Sequence, residues 1–301
     1  MTDAEKNGRM GKDRAQKCLE EHNEVFADIF NNLVFKEDLI QPEELTHGPT
    51  ESIYKAEGCT ALKEQRRDVC KYVRRFNATV SLLGIENQMT VDLDMGIRVL
   101  GYDYGSYRHQ IGTGSERYAA ITAVLYYGKE PWRGVRSLKQ RLSIPKKLAR
   151  FVNDYKYVLI DVPRLPKSSR ERLTSDFKVV ADFFAEKDSK DYIPSRQEIK
   201  HVEEVLYMLR TFTGDKRYEE IEHDIMECVR RGEPVRMCDF AERMEQKGRG
   251  EGRAEGIQAL IEDNLEDGKS EAVILEKLRK HFGLTEEQAR EYFGRFAAAA
   301  Q

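Results

Sequence analysis

Arg67-Asp-Val-Cys-Lys-Tyr-Val-Arg-Arg75, then Phe76-Asn77-Ala78, then Thr79-Val-Ser-Leu-Leu-Gly-Ile-Glu-Asn-Gln88 is the stretch on which the fold turns. Two runs rich in β-branched and aromatic residues flank a short polar break, the pattern of a β-hairpin. Side chains alternate along a strand, so Glu86 and Gln88 share a face. If the strands pair around Asn77, Asp68 comes to lie opposite the Glu86 end. Two carboxylates and a carboxamide then converge, a donor set suited to a hard divalent cation such as Mg²⁺. Leu82, Leu83 and Ile85 are apolar on both faces, the mark of a strand inside a sheet. A glutamate ending such a strand is costly to bury unless it is paired or holds a metal. Arg66, Arg67 and Arg98 are the cations that could pair with it instead.

The Asp-x(17)-Glu-x-Gln spacing resembles the active-site hairpin of PD-(D/E)XK nucleases. Val25-Phe-Ala-Asp-Ile-Phe-Asn31, Gln65-Arg-Arg-Asp-Val69, Gly84-Ile-Glu-Asn-Gln88, Met95-Gly-Ile-Arg-Val-Leu-Gly-Tyr-Asp103 and Val124-Leu-Tyr-Tyr-Gly128 with Trp132 follow in order. Together these words resemble the recombination-promoting nuclease (Rpn)/putative transposase family over roughly residues 10–185. The resemblance implies an α/β (α+β) restriction-endonuclease-like mixed sheet flanked by helices, followed by an all-helical region. It implies a metal-dependent DNA endonuclease using Mg²⁺ (or Mn²⁺), with Asp68 and Glu86 as ligands and Gln88 orienting water. Asp28, on the first helix, is a further candidate ligand. Arg98 and Tyr102, four apart on one helical face, are candidates for holding a DNA phosphate. The superfamily usually has Lys where Gln88 stands; Gln can position water but brings no charge. A catalytically weak or inactive nuclease fold that binds DNA or protein is therefore the alternative. A helical interaction module with incidental acids is a third reading.

The rest of the chain is consistent with a water-soluble globular protein. Of 301 residues, 34% are charged and 40% hydrophobic, with net charge −3. No apolar run approaches the roughly 18 residues of a membrane span, and the N-terminus lacks a signal-peptide core, so a cytoplasmic location is expected. Five cysteines without a Cys-x-x-Cys pair indicate reduced thiols. The six histidines are scattered without metal-ligand spacing and read as structural or surface residues. Between Lys129 and Lys178, 14 Lys/Arg stand against 5 Asp/Glu, a surplus of 9; the remainder carries 36 against 48. A basic block beside an acidic site suits a polyanion partner such as DNA.

Periodicity and composition divide the chain at 1–15 (a flexible N-terminus), 16–175, 176–247 (a helical extension) and 248–301 (a hinge with a small helical tail), and the resemblance implies that 16–175 is the nuclease-like domain. A helix is predicted over Ala15–Leu33, another over Met95–Ile111, and strands over Arg117–Tyr127 and Tyr155–Val162. Trp132 is read as packing its turn, with base stacking as the functional alternative. Ser195 is a candidate cap for a helix that includes Ile199. Lys247–Gly256 is glycine-rich but follows no strand, so it reads as a hinge or weak helix. The apolar residues from Leu260 to Phe296 are expected to form a small bundle or a contact between copies of the chain.

Overall fold

The computed structural model describes residues 18–54, 63–76, 78–111 and 116–297. The expected flexible N-terminus, Asn77 and residues 112–115 lie outside the described residues. The chain divides into two compact units, Met1–Cys238 and Asp239–Gln301.

The first unit is built on a five-stranded sheet of β1 (Leu45–His47), β4 (Val69–Arg75), β5 (Ala78–Gln88), β6 (Ala119–Tyr126) and β7 (Val158–Asp161), in that spatial order. A separate antiparallel pair is formed by β2 (Glu51–Tyr54) and β3 (Lys63–Arg66). β1 and β5 run antiparallel to β4, whereas β6 and β7 continue parallel to β5. The hairpin signal is realised as read: Arg75 pairs with Ala78, and Val69 pairs with Ile85. One irregularity between Val73 and Arg74 shifts the register by a residue. β5 has neighbours on both sides and covered faces, which explains its continuous apolar run.

Helix α1 (Asn23–Ile29) lies against one face of the sheet, where the Phe26 ring sits 5.7 Å from the Lys71 ammonium. The helix predicted over Ala15–Leu33 is interrupted. A 3₁₀ turn, Leu19–Glu21, comes first, His22 is extended, and a π-turn, Phe30–Phe35, follows α1. The interruption has a polar cause. Buried Lys71 donates to the Glu21 carbonyl at 2.6 Å and to Asn23 Oδ1 at 2.7 Å, which holds the turn and the helix start together. Burial lowers the Lys71 pKa, with Glu21 opposing.

Helix α2 (Met95–Gln110) covers the other face, burying Met95 and Val99 against Val124, Tyr126 and Trp132. Beneath it, Arg67 bridges to Asp103 at 2.8 Å, with both side chains buried. Asp103 also accepts the Thr122 hydroxyl at 2.7 Å and the Tyr155 hydroxyl. Gly84 makes room for this bridge: a Cβ there would stand 2.6 Å from Arg67 Cδ.

Helices α3 (Phe177–Glu186), α4 (Val202–Thr213) and α5 (Arg217–Arg230) complete the unit. Phe177, Val180, Phe183 and Phe184 are buried as one face, in line with their spacing. The Ser195 cap does not form, because α4 starts only at Val202. Ile199 instead donates its N–H to the Val235 carbonyl at 2.8 Å.

In the second unit, α6 (Met237–Glu266), which begins at the junction, is followed by α7 (Glu271–Phe282) and α8 (Glu286–Ala297). The Lys247–Gly256 stretch runs inside α6 as continuous helix. Gly268 (φ +70°) and Gly283 (φ +63°) terminate α6 and α7 in the left-handed conformation that glycine adopts without strain. The Thr285 N–H donates to the Gln288 side-chain oxygen at 3.0 Å and the Gln288 N–H to the Thr285 hydroxyl at 3.2 Å, a capping box. Ile257, Ile261, Ile274, Leu278 and Leu284 form a small buried core. Among the described residues, no helix is long and apolar enough to cross a membrane.

Candidate active site

Extending the β4–β5 ladder one step past Val69–Ile85 sets Asp68 against Glu86. Asp68 is exposed at the sheet end and accepts the backbone N–H of Asn87 at 2.7 Å. Glu86 is only 3% exposed. One of its oxygens, Oε1, is bonded to Arg98 and accepts the Gln88 amide at 2.9 Å. The other, Oε2, is buried with no hydrogen-bond partner. Burial, and then the negative charge of Asp68, push the Glu86 carboxyl up to about 7, with Arg98 opposing.

Arg98 and Tyr102 serve this carboxylate. Arg98 also bonds Asp92 at 3.0 Å and the Tyr102 hydroxyl at 3.2 Å. Burial works against the Arg98 charge, but Glu86, Tyr102 and Asp92 outweigh it and raise its pKa. Tyr102 is 1% exposed and lies under Arg98, so it has no surface from which to meet a DNA phosphate. Its hydroxyl is pushed up to about 12 by burial and by Glu86. The i,i+4 spacing therefore located the pair correctly, but its partner is Glu86.

Asp28 is likewise elsewhere. Its buried carboxylate accepts the N–H groups of Thr174 and Ser175, at 3.0 and 2.9 Å, and the Ser175 hydroxyl at 2.6 Å. Asn32 adds a bond at 2.8 Å. With its acceptor sites filled, Asp28 is an anchor between α1 and the chain before α3 rather than a ligand. Trp132 is buried, edge-on to Tyr126 with ring centroids 5.0 Å apart, so it packs and does not stack on bases.

The acid that sequence reasoning missed is Glu20, on the 3₁₀ turn and 0% exposed. Its Oε2 receives the Cys18 thiol at 2.8 Å, while Oε1 is buried without a partner. Burial raises its pKa, and the charge of Asp68 adds to the rise. Asn87 Oδ1 and the Tyr127 hydroxyl are also buried without partners. The Tyr127 pKa is raised by burial and by Glu20, Cys18 and Asp68. Strand alternation sends Glu86 and Gln88 toward α2 and Asn87 toward α1. Asp68, at the sheet end, is thus shared by two acidic pairs, one with Glu86 and one with Glu20. The only local signal for Glu20 is a carboxylate two residues from Cys18 and His22, and nothing in helical periodicity distinguishes it.

The side chains of Asp68, Glu86 and Glu20 offer oxygen atoms, the donor type that a hard cation prefers. The donors are all oxygen, and the like charges of Asp68, Glu86 and Glu20 repel unless a positive charge lies among them.

An antiparallel hairpin feeding two parallel strands, with acids at its open end and helices on both faces, defines an α+β fold of the PD-(D/E)XK nuclease type. A family model described as "Putative transposase, YhgA-like" matches residues 62–214, and the chain belongs to that family. No curated protein and no solved structure matches it. Membership supports a nuclease-like or transposase-related role.

Proposed function

We propose that this protein is a metal-dependent DNA endonuclease that hydrolyses phosphodiesters, with Mg²⁺ (or Mn²⁺) held by Asp68 and Glu86 and with Glu20 beside Asp68. The observation that carries this reading is the buried, unpartnered Oε2 of Glu86 next to the charge of Asp68. When bound, such a cation polarises a phosphoryl oxygen and acidifies water. The chain's own groups do the rest. Arg98 keeps Glu86 oriented inside a buried environment, and the Asn87 N–H fixes the Asp68 carboxylate. Gln88, tied to Glu86 through its Nε2, offers a neutral amide for placing water beside the acids. Exposed Lys146, Lys147 and Arg150 in the basic block would neutralise backbone phosphates.

The test is nicking of supercoiled plasmid by the full chain in Mg²⁺ and in EDTA. Wild type should nick only with the metal, and Asp68→Asn and Glu86→Gln should lose nicking while melting cooperatively. Equal nicking by wild type and both variants would overturn the assignment. A second reading, a nuclease fold that binds DNA or protein without cutting it, draws on one feature: the position usually held by Lys carries Gln88. Salt-sensitive DNA binding without Mg²⁺-dependent nicking would favour it. Self-association through the C-terminal helices is a further expectation, tested by sedimentation of the chain with and without residues 239–301.

A further inference from the structure

His22 and His201, far apart in the sequence, stack in space with ring centroids 3.5 Å apart and an interplanar angle of 30°. We propose that these two histidines and Glu24 bind a transition-metal ion of the zinc type, at a site separate from the acidic one. Each of the three brings a ligand atom to within 4.8 Å of the others. His201 Nε2 stands 3.2 Å from a Glu24 oxygen. Two donors at about 2.0–2.1 Å on a zinc tetrahedron are roughly 3.3–3.4 Å apart, so this pair already has the spacing of two ligands.

The surroundings orient the rings for this task. His201 Nδ1 lies 2.9 Å from Asp176 Oδ2, which also accepts the N–H groups of Lys200 and His201 at 3.0 and 2.7 Å. Asp176 is buried and accepts at this position, so Nδ1 carries a hydrogen and Nε2 is turned toward Glu24. A metal ion lying between Nε2 and the Glu24 carboxylate would be bound by both. His22 is held in the same manner, its Nε2 3.2 Å from Glu204. A carboxylate on each ligating imidazole is the usual support of a histidine metal site. Two imidazoles select zinc, nickel or copper over magnesium. The Glu24 side chain is 47% exposed, which leaves the ion a path from solvent.

The location gives the ion a structural role. His22 follows the turn that carries Glu20, and His201 precedes α4, so one ion would clamp the Glu20 turn to the helical part of the unit.

The full chain, stripped with chelator, is titrated with zinc chloride by calorimetry, and its melting temperature is followed. Wild type should take up zinc and melt higher with it, because binding to the native state alone stabilises it. His22→Gln and His201→Gln should each weaken uptake at least about tenfold. Glu24→Gln, at an exposed position, gives the same readout should either histidine variant melt non-cooperatively. The Asp68→Asn/Glu86→Gln double variant should bind zinc as wild type does, which separates this site from the nuclease reading. Cobalt added in place of zinc should give the intense visible bands of a four-coordinate site. Absence of zinc uptake, or uptake unchanged in all three site variants, would overturn the proposal.

Discussion

Asp68 grips the strand that carries Glu86: its Oδ2 accepts the Asn87 backbone N–H at 2.7 Å, one residue past the buried glutamate. The two acids are thus locked in register by the backbone itself. Repulsion between them cannot be relieved by sliding the strands, because a one-residue slip would turn every apolar side chain of β5 to the wrong face.

That locked repulsion gives the metal-free protein a definite pH response. The Glu86 pKa rises on folding from an ordinary 4.5 to about 7. The folded state therefore favours the protonated form, and the associated stability is complete below about 4.5 and lost as pH climbs through about 7. The change is on the order of 3 kcal/mol. Urea melts in EDTA between pH 4.5 and 8 should show this decline, and Glu86→Gln should flatten it.

Glu20→Gln separates stability from function. Removing the charge of a buried carboxylate with one unpartnered oxygen should raise the melting temperature of the metal-free chain by a few degrees, equivalent to about 1 kcal/mol. The same change should reduce Mg²⁺-dependent nicking at least about tenfold. A variant that is both less stable and fully active would contradict the role given to Glu20.

Arg98→Met leaves Glu86 without its cation. Complete burial of such a broken pair costs about 3–5 kcal/mol. The Arg98 side chain is 35% exposed, so solvent screening lowers the expected loss to about 2 kcal/mol. Adding Glu86→Gln to this variant should restore most of the loss in chemical denaturation.

Gly84→Ala forces a methyl group onto the buried Arg67 side chain, which is tied to Asp103. A loss of about 1–3 kcal/mol is expected, the usual range for overpacking. If denaturation midpoints of variant and wild type coincide, the Arg67–Asp103 bridge is looser than described.

Lys146→Ala, Lys147→Ala and Arg150→Ala together should weaken binding to non-cleaved duplex in EDTA. The slope of log affinity against log salt should fall by about 0.9 for each phosphate that is no longer neutralised. An unchanged slope would place the DNA path elsewhere.

The hairpin and its acids were legible because strand alternation and a single turn relate Asp68 to Glu86 through local geometry alone. Helix α2 was legible too, and so was the sharing of one face by Arg98 and Tyr102, because residues four apart meet along a helix. The fate of Arg98 was not, because spacing shows which residues are neighbours along a helix but not which carboxylate they meet across a sheet. Glu20 escaped notice because Lys71, fifty residues on, breaks the helix that periodicity alone would continue. Glycines 248, 250, 252 and 256 looked like a hinge, yet the chain stays helical through them, so their weak helix propensity is overridden within α6. The pairing of His22 with His201 is a tertiary fact with no sequence spacing to announce it.

Lys71 leaves a practical mark on any dissection of this chain. The family match spans 62–214, whereas the groups that satisfy the Lys71 ammonium, the Glu21 carbonyl and the Asn23 amide oxygen, lie upstream of it. A fragment cut to the homology limits would strand an ammonium in an apolar interior and discard Glu20 together with His22 and Glu24 of the zinc-type site. Such a piece would be expected to precipitate or to purify inert, and its silence in an assay would report on where it was cut rather than on what the intact polypeptide does.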